Sequence, residues 1–199
     1  ALGSLSRKEV DRSGAARQTD LHTNNSGRRM SLYARPLHLT EALTALTGGA
    51  RILAGGTDLY PAQAVVGDVL DITAIAALRG ITRGGGLRIG GAVTWSEIAE
   101  ADLPPACAAL QVAARAVGGR QIQNAGTLAG NLCNASPAAD GVPPLLVLGA
   151  EVELASLRGV RRLALADFVL GPRRTAALPD EILVAVHVPE DALAGRSAF

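Results

Sequence analysis

Two glycine-rich stretches are the most informative part of this chain: Ala-Gly-Gly-Thr-Asp-Leu at residues 54–59 and Asn-Ala-Gly-Thr-Leu-Ala-Gly-Asn at residues 124–131. Glycine allows positive backbone φ angles and lets a ligand approach the main chain closely. Consecutive backbone N–H groups exposed in this way form a concave site for an anion such as a phosphate. Two such stretches, with Asp140 following the second, predict a diphosphate that is held from two sides.

The second stretch carries more information than the first. Residues 121–140 contain three Asn, two Gly, a Thr, a Ser and an Asp between two predicted helices. A purely structural loop rarely needs so many short hydrogen-bonding side chains. We expect Thr127 and Asn131 to donate hydrogen bonds to phosphate oxygens, and Asp140 to accept one from a ribose or ribityl hydroxyl. The first stretch, taken alone, fits a tight turn as well as it fits a binding loop.

The composition describes a globular chain of ordinary charge. Its 199 residues are 48% hydrophobic, enough to bury a core as one domain or two small lobes. Lys and Arg number 19 against 18 Asp and Glu, so the charge balance gives no support for a nucleic acid or a membrane surface as partner. The longest apolar runs, such as residues 142–150, are too short to cross a bilayer.

The chemistry-bearing side chains are sparse. The two cysteines, Cys107 and Cys133, have no second Cys or His at metal-ligand spacing, so a metal site within this chain is not expected. No residue forms a convincing catalytic constellation, and any chemistry would therefore come from a bound cofactor. Because no signal segment opens the chain, we expect a cytoplasmic protein with both thiols reduced.

The pattern along the chain divides it into three parts. Residues 1–29 are rich in Ser, Arg, Asn and Gly, which predicts a disordered extension or a sequence added before a natural start at Met30. Residues 30–80 predict a small α/β lobe with parallel strands, and residues 81–199 predict a second lobe with helices followed by antiparallel strands.

Helix boundaries follow from capping signals. Thr40 is expected to cap a helix over residues 41–46, and Thr94 with Glu97 has the spacing of a capping box. Residues 138–148 are expected to form a helix with Asp140 in its first turn. The stretch between the helices, including residues 124–131, is expected to be a loop.

Both stretches resemble those of the FAD-binding, or medium, subunits of molybdenum-containing hydroxylases, a family that includes xanthine dehydrogenase and aerobic carbon monoxide dehydrogenase. The resemblance covers residues 31–199. It rests on residues 54–59 and 121–140, and it is supported downstream by Asp167-Phe168, Gly171 and residues 174–183.

The resemblance implies an α+β fold, namely a two-lobed FAD-binding domain of the vanillyl-alcohol-oxidase-like type. A small parallel-sheet lobe would be followed by an antiparallel-sheet lobe with flanking helices, and FAD would lie between them. The residues that the matching motifs assign to the cofactor are Leu53, Ala54, Gly55, Gly56, Thr57, Asp58, Leu59, Thr127, Leu128, Ala129, Gly130, Asn131, Asp140 and Leu183.

The resemblance also implies a role. Electrons from the iron–sulfur clusters of a small partner subunit would pass through FAD to an external acceptor, and a large partner subunit would carry the molybdenum cofactor. Two other interpretations stay open at this point: a docking module that does not bind FAD, and a flavin oxidoreductase that acts alone.

The chain departs from the family pattern at three points. Gln123 stands where the family usually has Arg, and Ala129 replaces a Gly. The family also continues past residue 199 into a C-terminal domain, which we expect to be absent.

Overall fold

Three short parallel strands form the first sheet. The computed structural model describes residues 32–58 and 67–197. Strands β1 (Tyr33–Ala34), β2 (Arg51–Leu53) and β3 (Val69–Asp71) pair in the order β1-β3-β2. The middle strand, β3, is buried along its whole length, and its parallel pairing on both sides is confirmed by the register. The carboxyl end of β2 therefore leads directly into the first glycine-rich stretch.

A five-stranded antiparallel sheet forms the second layer. Its strands are β4 (Ile81–Arg83), β5 (Leu87–Gly90), β6 (Glu151–Ser156), β7 (Gly159–Ala164) and β10 (Ile182–Val188), in the order β4-β5-β10-β6-β7. A separate hairpin is made by β8 (Val169–Gly171) and β9 (Arg174–Thr175). The prediction of a parallel sheet followed by an antiparallel sheet is confirmed.

The helices are short. They are α1 (Leu39–Leu46), α2 (Trp95–Glu100), α3 (Ala108–Ala116), α4 (Arg120–Ala125), α5 (Leu128–Asn134), α6 (Val142–Val147) and α7 (Leu165–Phe168), with 3₁₀ turns at Ala76–Leu78, Pro105–Cys107 and Asp191–Ala194. Within the described ranges, no helix is long and apolar enough to cross a membrane.

Two helix starts test the capping predictions. The capping box before α2 is confirmed: Thr94 Oγ1 accepts from Glu97 N at 3.3 Å, and Glu97 Oε2 accepts from Thr94 N at 2.6 Å. The cap at Thr40 is wrong, since α1 begins at Leu39 and Ala42 N donates to His38 O at 3.2 Å. Leu39 packs against the same core as the buried Leu43 and Leu46, so the apolar face of α1 begins one residue before the polar signal.

The position of α6 also differs from the prediction. Asp140 does not lie in its first turn, because the helix begins only at Val142 with Gly141 before it. Two prolines follow at positions 143 and 144, and proline lacks the N–H that an interior helical position would donate. The prolines therefore fit the first turn, and they place the helix start two residues later than Asp140.

The central strand β10 separates two apolar cores. On one face, Ile182 and Val184 pack with α1 and β3, and on the other, Leu183 and Val186 pack with the helices α2, α3, α5 and α6. A bulge between Leu183 and Ala185 interrupts the pairing with β6. Because one strand contributes to both cores, the parallel sheet and the antiparallel sheet are packed on each other. The lobe boundaries predicted at residues 30–80 and 81–199 stay a prediction, and residues 1–29 lie outside the described residues.

Candidate functional site

The first glycine-rich stretch turns sharply as it leaves β2. Gly56 has a φ of 70°, a conformation that L-residues with side chains rarely adopt. Within residues 32–58 and 67–197, no acceptor takes a hydrogen bond from the backbone N–H groups of residues 54–58. Five consecutive donors are therefore available at the carboxyl end of a parallel strand, where open α/β sheets bind their ligands.

The second stretch is not a loop, which corrects the sequence prediction. It consists of the two helices α4 and α5, joined at Gly126 and Thr127. The hydroxyl of Thr127 is the N-cap of α5 and accepts from Gly130 N at 3.0 Å. A polar side chain at an N-cap satisfies a helical N–H that has no partner in the helix. The same threonine that looks like a loop residue in the sequence therefore starts a helix.

A backbone bridge fixes the start of α5 against the start of α2. Trp95 N donates to Gly126 O and Leu128 N donates to Val93 O, each at 3.1 Å, around a β-bridge between Thr94 and Thr127. The side chain of Trp95 is buried and lies beneath the junction. The two helix starts are thus held at one point by main-chain hydrogen bonds.

The two stretches are in contact with each other. A methyl group on Gly55 would lie 1.9 Å from the carbonyl oxygen of Ala125, and one on Gly126 would lie 3.5 Å from Thr57 Oγ1. Main chain therefore packs on main chain here, which only glycine permits. The two stretches, which are distant in sequence, are thus adjacent in the structure.

A cavity of about 640 Å³ opens between the two stretches. This volume lies within the range of roughly 300–1,000 Å³ that is typical of small-molecule and cofactor sites. Of the residues assigned to the cofactor from the sequence, those that line the cavity are Leu53, Ala54, Gly55, Gly56, Thr57, Asp58, Thr127, Ala129, Gly130, Asn131 and Leu183.

Two assigned residues, Leu128 and Asp140, are not among those that line the cavity. Leu128 has its side chain in the apolar core, and its N–H is already used by Val93 O. Asp140 is exposed and does not line the cavity, although Gly141 N beside it donates to Asn131 Oδ1 at 3.2 Å. Leu59 lies outside the described residues. Roles of Leu128 and Asp140 at the cofactor stay predictions.

The two substitutions relative to the family pattern are accommodated locally. Gln123 is buried, and its Nε2 donates to Arg115 O at 2.9 Å, so it links α4 to the end of α3 without a charge. Ala129 is helical, and its φ is not among the positive ones. A methyl group at this position therefore causes no backbone strain.

Several cavity residues were missed by the sequence reasoning. The far end of the cavity is lined by Cys133, Asn134 and Arg173, and the wall next to α4 by Val117 and Ile122. Ile122, Cys133 and Asn134 lie within residues 121–140, the stretch already singled out in the sequence, whereas no local signal marks Val117 or Arg173. Among the described residues, no group of three or more His, Cys, Asp or Glu side chains has the arrangement of a metal site.

A buried carboxylate at the cavity, that of Glu181, is paired with the partly exposed guanidinium of Arg161. Glu181 has a side chain that is only 3% exposed, and it accepts from Arg161 Nε at 2.7 Å and Nη2 at 2.8 Å. Leu178 N donates to the same carboxylate at 2.8 Å. The hydrogen bonds from Arg161 lower the pKa of Glu181, against the opposing effect of burial. This pair closes the bend that carries the chain into β10, and Leu183 follows two residues later.

The comparisons with known proteins agree with this geometry. The FAD binding domain in molybdopterin dehydrogenase matches residues 25–191. The xanthine dehydrogenase FAD-binding subunit of Escherichia coli O157:H7 is 39% identical over 170 residues, in a match that covers 79% of this chain and 57% of that protein. The carbon monoxide dehydrogenase medium chain of Afipia carboxidovorans is 32% identical over 170 residues, in a match that covers 79% of this chain and 58% of that protein.

Solved structures show the same fold. Carbon monoxide dehydrogenase from Hydrogenophaga pseudoflava superposes with a TM-score of 0.74 at 27% identity, covering 80% of this chain and 58% of that one. Quinoline 2-oxidoreductase from Pseudomonas putida 86 gives a TM-score of 0.73 at 30% identity, with 80% and 59% covered. The chain therefore spans a little under three fifths of the length of these relatives.

The family match includes both glycine-rich stretches, and the structural match covers 80% of the chain. The resemblance identified from the sequence is confirmed, and FAD is confirmed as the cofactor of the family. The chain belongs to the family of FAD-binding domains found in molybdopterin dehydrogenases.

Proposed function

We propose that this chain holds FAD in an oxidoreductase of the molybdenum hydroxylase type, in the cytoplasm. Electrons from the iron–sulfur clusters of a small partner subunit would leave through FAD to an external acceptor, and a large partner subunit would carry the molybdenum cofactor. FAD supplies the redox chemistry, because it exchanges electrons singly or in pairs. The chain's own task is to bind the cofactor and position it.

One observation carries the proposal: the cavity between the two stretches presents main-chain donors on one side and a capped helix start on the other. The N–H groups of residues 54–58 and of Ala129 have no acceptor within the described ranges. A diphosphate carries several oxygens that accept hydrogen bonds, and it is stabilised by such oriented N–H groups. These residues therefore fit the diphosphate of FAD.

Side chains add selectivity to the main-chain N–H groups of residues 54–58 and Ala129, which together are called the cradle. Thr57 lines the cavity, and its hydroxyl has no partner among the described residues. Asn131 uses its Oδ1 to accept from Gly141 N, which orients the amide and leaves its Nδ2 as a donor. Both groups are thus available to phosphate or ribityl oxygens without breaking an existing contact.

The names of the relatives support the wider role. They are described as FAD-binding or medium subunits of dehydrogenases, which are parts of larger assemblies. This chain contributes no metal cluster within its described residues, so the other redox centres of such an assembly would reside on partner subunits.

A ligand titration tests the proposal. The purified chain is titrated with FAD and with riboflavin, and flavin fluorescence is followed. If the diphosphate cradle exists, FAD binds saturably and much more tightly than riboflavin, which lacks both phosphates. Failure of the folded chain to bind FAD would contradict the proposal and favour the docking module.

Matched threonine variants sharpen this test. Thr57→Val removes the cavity hydroxyl at nearly constant volume, and Thr82→Val makes the same change at an exposed position on β4. Loss of one hydrogen bond to a charged group should weaken FAD binding about tenfold or more in Thr57→Val. Thr82→Val should bind as the parent does. Co-purification of an iron–sulfur protein with the chain separates the subunit role from an oxidoreductase that acts alone.

A further inference from the structure

A cation without a carboxylate partner lies at the far end of the cavity. Arg173 lines the cavity from the turn between β8 and β9, and its Nη1 donates to Asn134 Oδ1. Among residues 32–58 and 67–197, no Asp or Glu lies within ion-pair distance of its guanidinium. The guanidinium of Arg173 is therefore held by a neutral amide, and no carboxylate of the described residues pairs with it.

The backbone holds Arg173 in an unusual conformation. Its φ is 57°, and that of Ala135 is 44°; these are the two non-glycine residues with positive φ in the described chain. They are bonded to each other, because Arg173 N donates to Ala135 O at 2.7 Å. Strained residues of this kind persist where their surroundings hold them, often at functional sites. The β8–β9 turn is thus tied to the end of α5.

The length of α5 separates this cation from the phosphate cradle. The cradle lies at the first residues of α5, and Asn134 is the last of seven residues. At 1.5 Å per residue, the two ends are about 10 Å apart. Asn134, which holds the guanidinium of Arg173, therefore lies about 10 Å along α5 from the residues assigned to the diphosphate.

The two ends of the cavity differ in chemistry. Near α4 the lining is apolar, with Trp95, Val117 and Ile122, which suits an uncharged purine. At the other end, Arg173 and Asn134 offer polar groups. The flavin ring has carbonyl oxygens and ring nitrogens along one edge, and negative charge develops there on reduction. A fixed cation near this edge favours the reduced form.

We propose that the guanidinium of Arg173 lies against the carbonyl edge of the flavin ring and makes the site prefer reduced over oxidised FAD. The inference rests on the proposed function, since it assigns a role within the same cavity. It makes Arg173 the residue by which this chain sets the reduction potential of its cofactor.

Three variants test the role of the charge. Arg173→Gln removes it, Arg173→Lys keeps it, and Arg174→Gln removes a neighbouring exposed charge that does not line the cavity. The affinity for oxidised FAD and the midpoint potential of the bound flavin are measured for each. In Arg173→Gln, we expect the ratio of the affinity for reduced FAD to that for oxidised FAD to fall about tenfold. This change lowers the midpoint potential by about 30 mV for a two-electron couple. Arg173→Lys should retain most of the preference, and Arg174→Gln all of it.

A fourth variant keeps Arg173 and gives a result even if Arg173→Gln fails to fold. Asn134→Asp puts a carboxylate against the guanidinium and cancels its charge, so the potential should fall here too. An unchanged potential in both Arg173→Gln and Asn134→Asp, with FAD still bound, overturns this inference alone. If Arg173→Gln weakens the binding of oxidised FAD and of reduced FAD by the same factor, the inference is also overturned. Failure of the unaltered chain to bind FAD overturns the proposed function, and this inference with it.

Discussion

Gly55 and Ala125 approach so closely that no side chain fits between them: a methyl group on Gly55 would lie 1.9 Å from the carbonyl oxygen of Ala125 and 2.5 Å from its carbonyl carbon. Seventy residues separate the two positions in the sequence, yet their main chains are in contact at the cavity. This contact joins the carboxyl end of β2 to the end of α4. It is the point at which the two glycine-rich stretches become one site.

Gly55→Ala should separate the two stretches. The added methyl group meets backbone, which cannot rotate away, so the free energy of unfolding should fall by about 1–3 kcal/mol, as in overpacked cores. FAD affinity should fall at least about tenfold, because the cradle opens. Urea denaturation and FAD titration measure the two effects. Gly84→Ala is the matched control, since Gly84 has no heavy atom within 4 Å of the new methyl group. A Gly55→Ala chain with parental stability and affinity would contradict the contact.

Thr127→Val should destabilise the start of α5. The hydroxyl that accepts from Gly130 N is lost, and loss of an N-cap costs about 1 kcal/mol of unfolding free energy. Because Gly130 and Asn131 line the cavity, FAD binding should weaken as well. Thr127→Ser keeps the hydroxyl and serves as control in the same denaturation series. If the valine and serine variants were equally stable, the cap would have no energetic role.

Glu181→Gln should remove a pH-dependent part of the stability. The pKa of folded Glu181 lies below its ordinary value of 4.5, mainly because Arg161 donates two hydrogen bonds to it. A lowered pKa means that the carboxylate stabilises the fold above pH 4.5, and that this contribution is lost as the pH falls through the lower folded pKa. Above pH 4.5, the variant should be less stable than the parent by about 1.5–3 kcal/mol, the value for a hydrogen bond to a charged group.

Denaturation at a series of pH values checks this prediction. The difference between parent and Glu181→Gln should shrink as the pH drops below 4.5. Glu190→Gln changes an exposed carboxyl and provides the comparison. A difference that stays constant from neutral to acid pH would mean that the lost contact is not ionic.

Cys133 should report on the occupancy of the cavity. It is exposed and lines the cavity, and desolvation by the neighbouring protein atoms raises the pKa of its thiol to about 12. On the order of one thiol in ten thousand is then ionised at about pH 8, so alkylation should be slow and should accelerate about tenfold per pH unit. Added FAD should slow it further. Mass spectrometry locates the label, and Cys133→Ser, which leaves only the fully buried Cys107, should stay unlabelled. Rapid labelling, or labelling that FAD does not affect, would contradict this placement.

Features that depend on residues close together in the sequence are predicted reliably. The capping box of Thr94 and Glu97 depends on residues three positions apart, and it is present as predicted. The prediction that antiparallel strands follow the helices of the second lobe also agrees with β6, β7 and β10, because apolar patterning and short turns define such strands. The start of α1 was misplaced, because burial of its apolar face decided the boundary.

The candidate site was predicted in part. Residues 54–58, Thr127 and Asn131 line one cavity, as expected from residue types, since small residues and short polar groups suit an anion. Their contacts with the cofactor stay predictions. That residues 124–131 form two helices joined at a bridge did not follow, because the bridge partner of Thr127 is Thr94, which is distant in sequence.

The sequence by itself determined the two glycine-rich stretches, the order of the two sheets and the choice of a phosphate-bearing cofactor. These depend on conformational freedom and patterning that are properties of neighbouring residues. Only the tertiary structure decided that Gly55 lies against Ala125, that Asp140 lies outside the cavity, and that Arg173 lies at its far end. These placements arise where β2, α5 and the β8–β9 turn meet, and contacts between distant segments depend on packing, which no short stretch of sequence encodes.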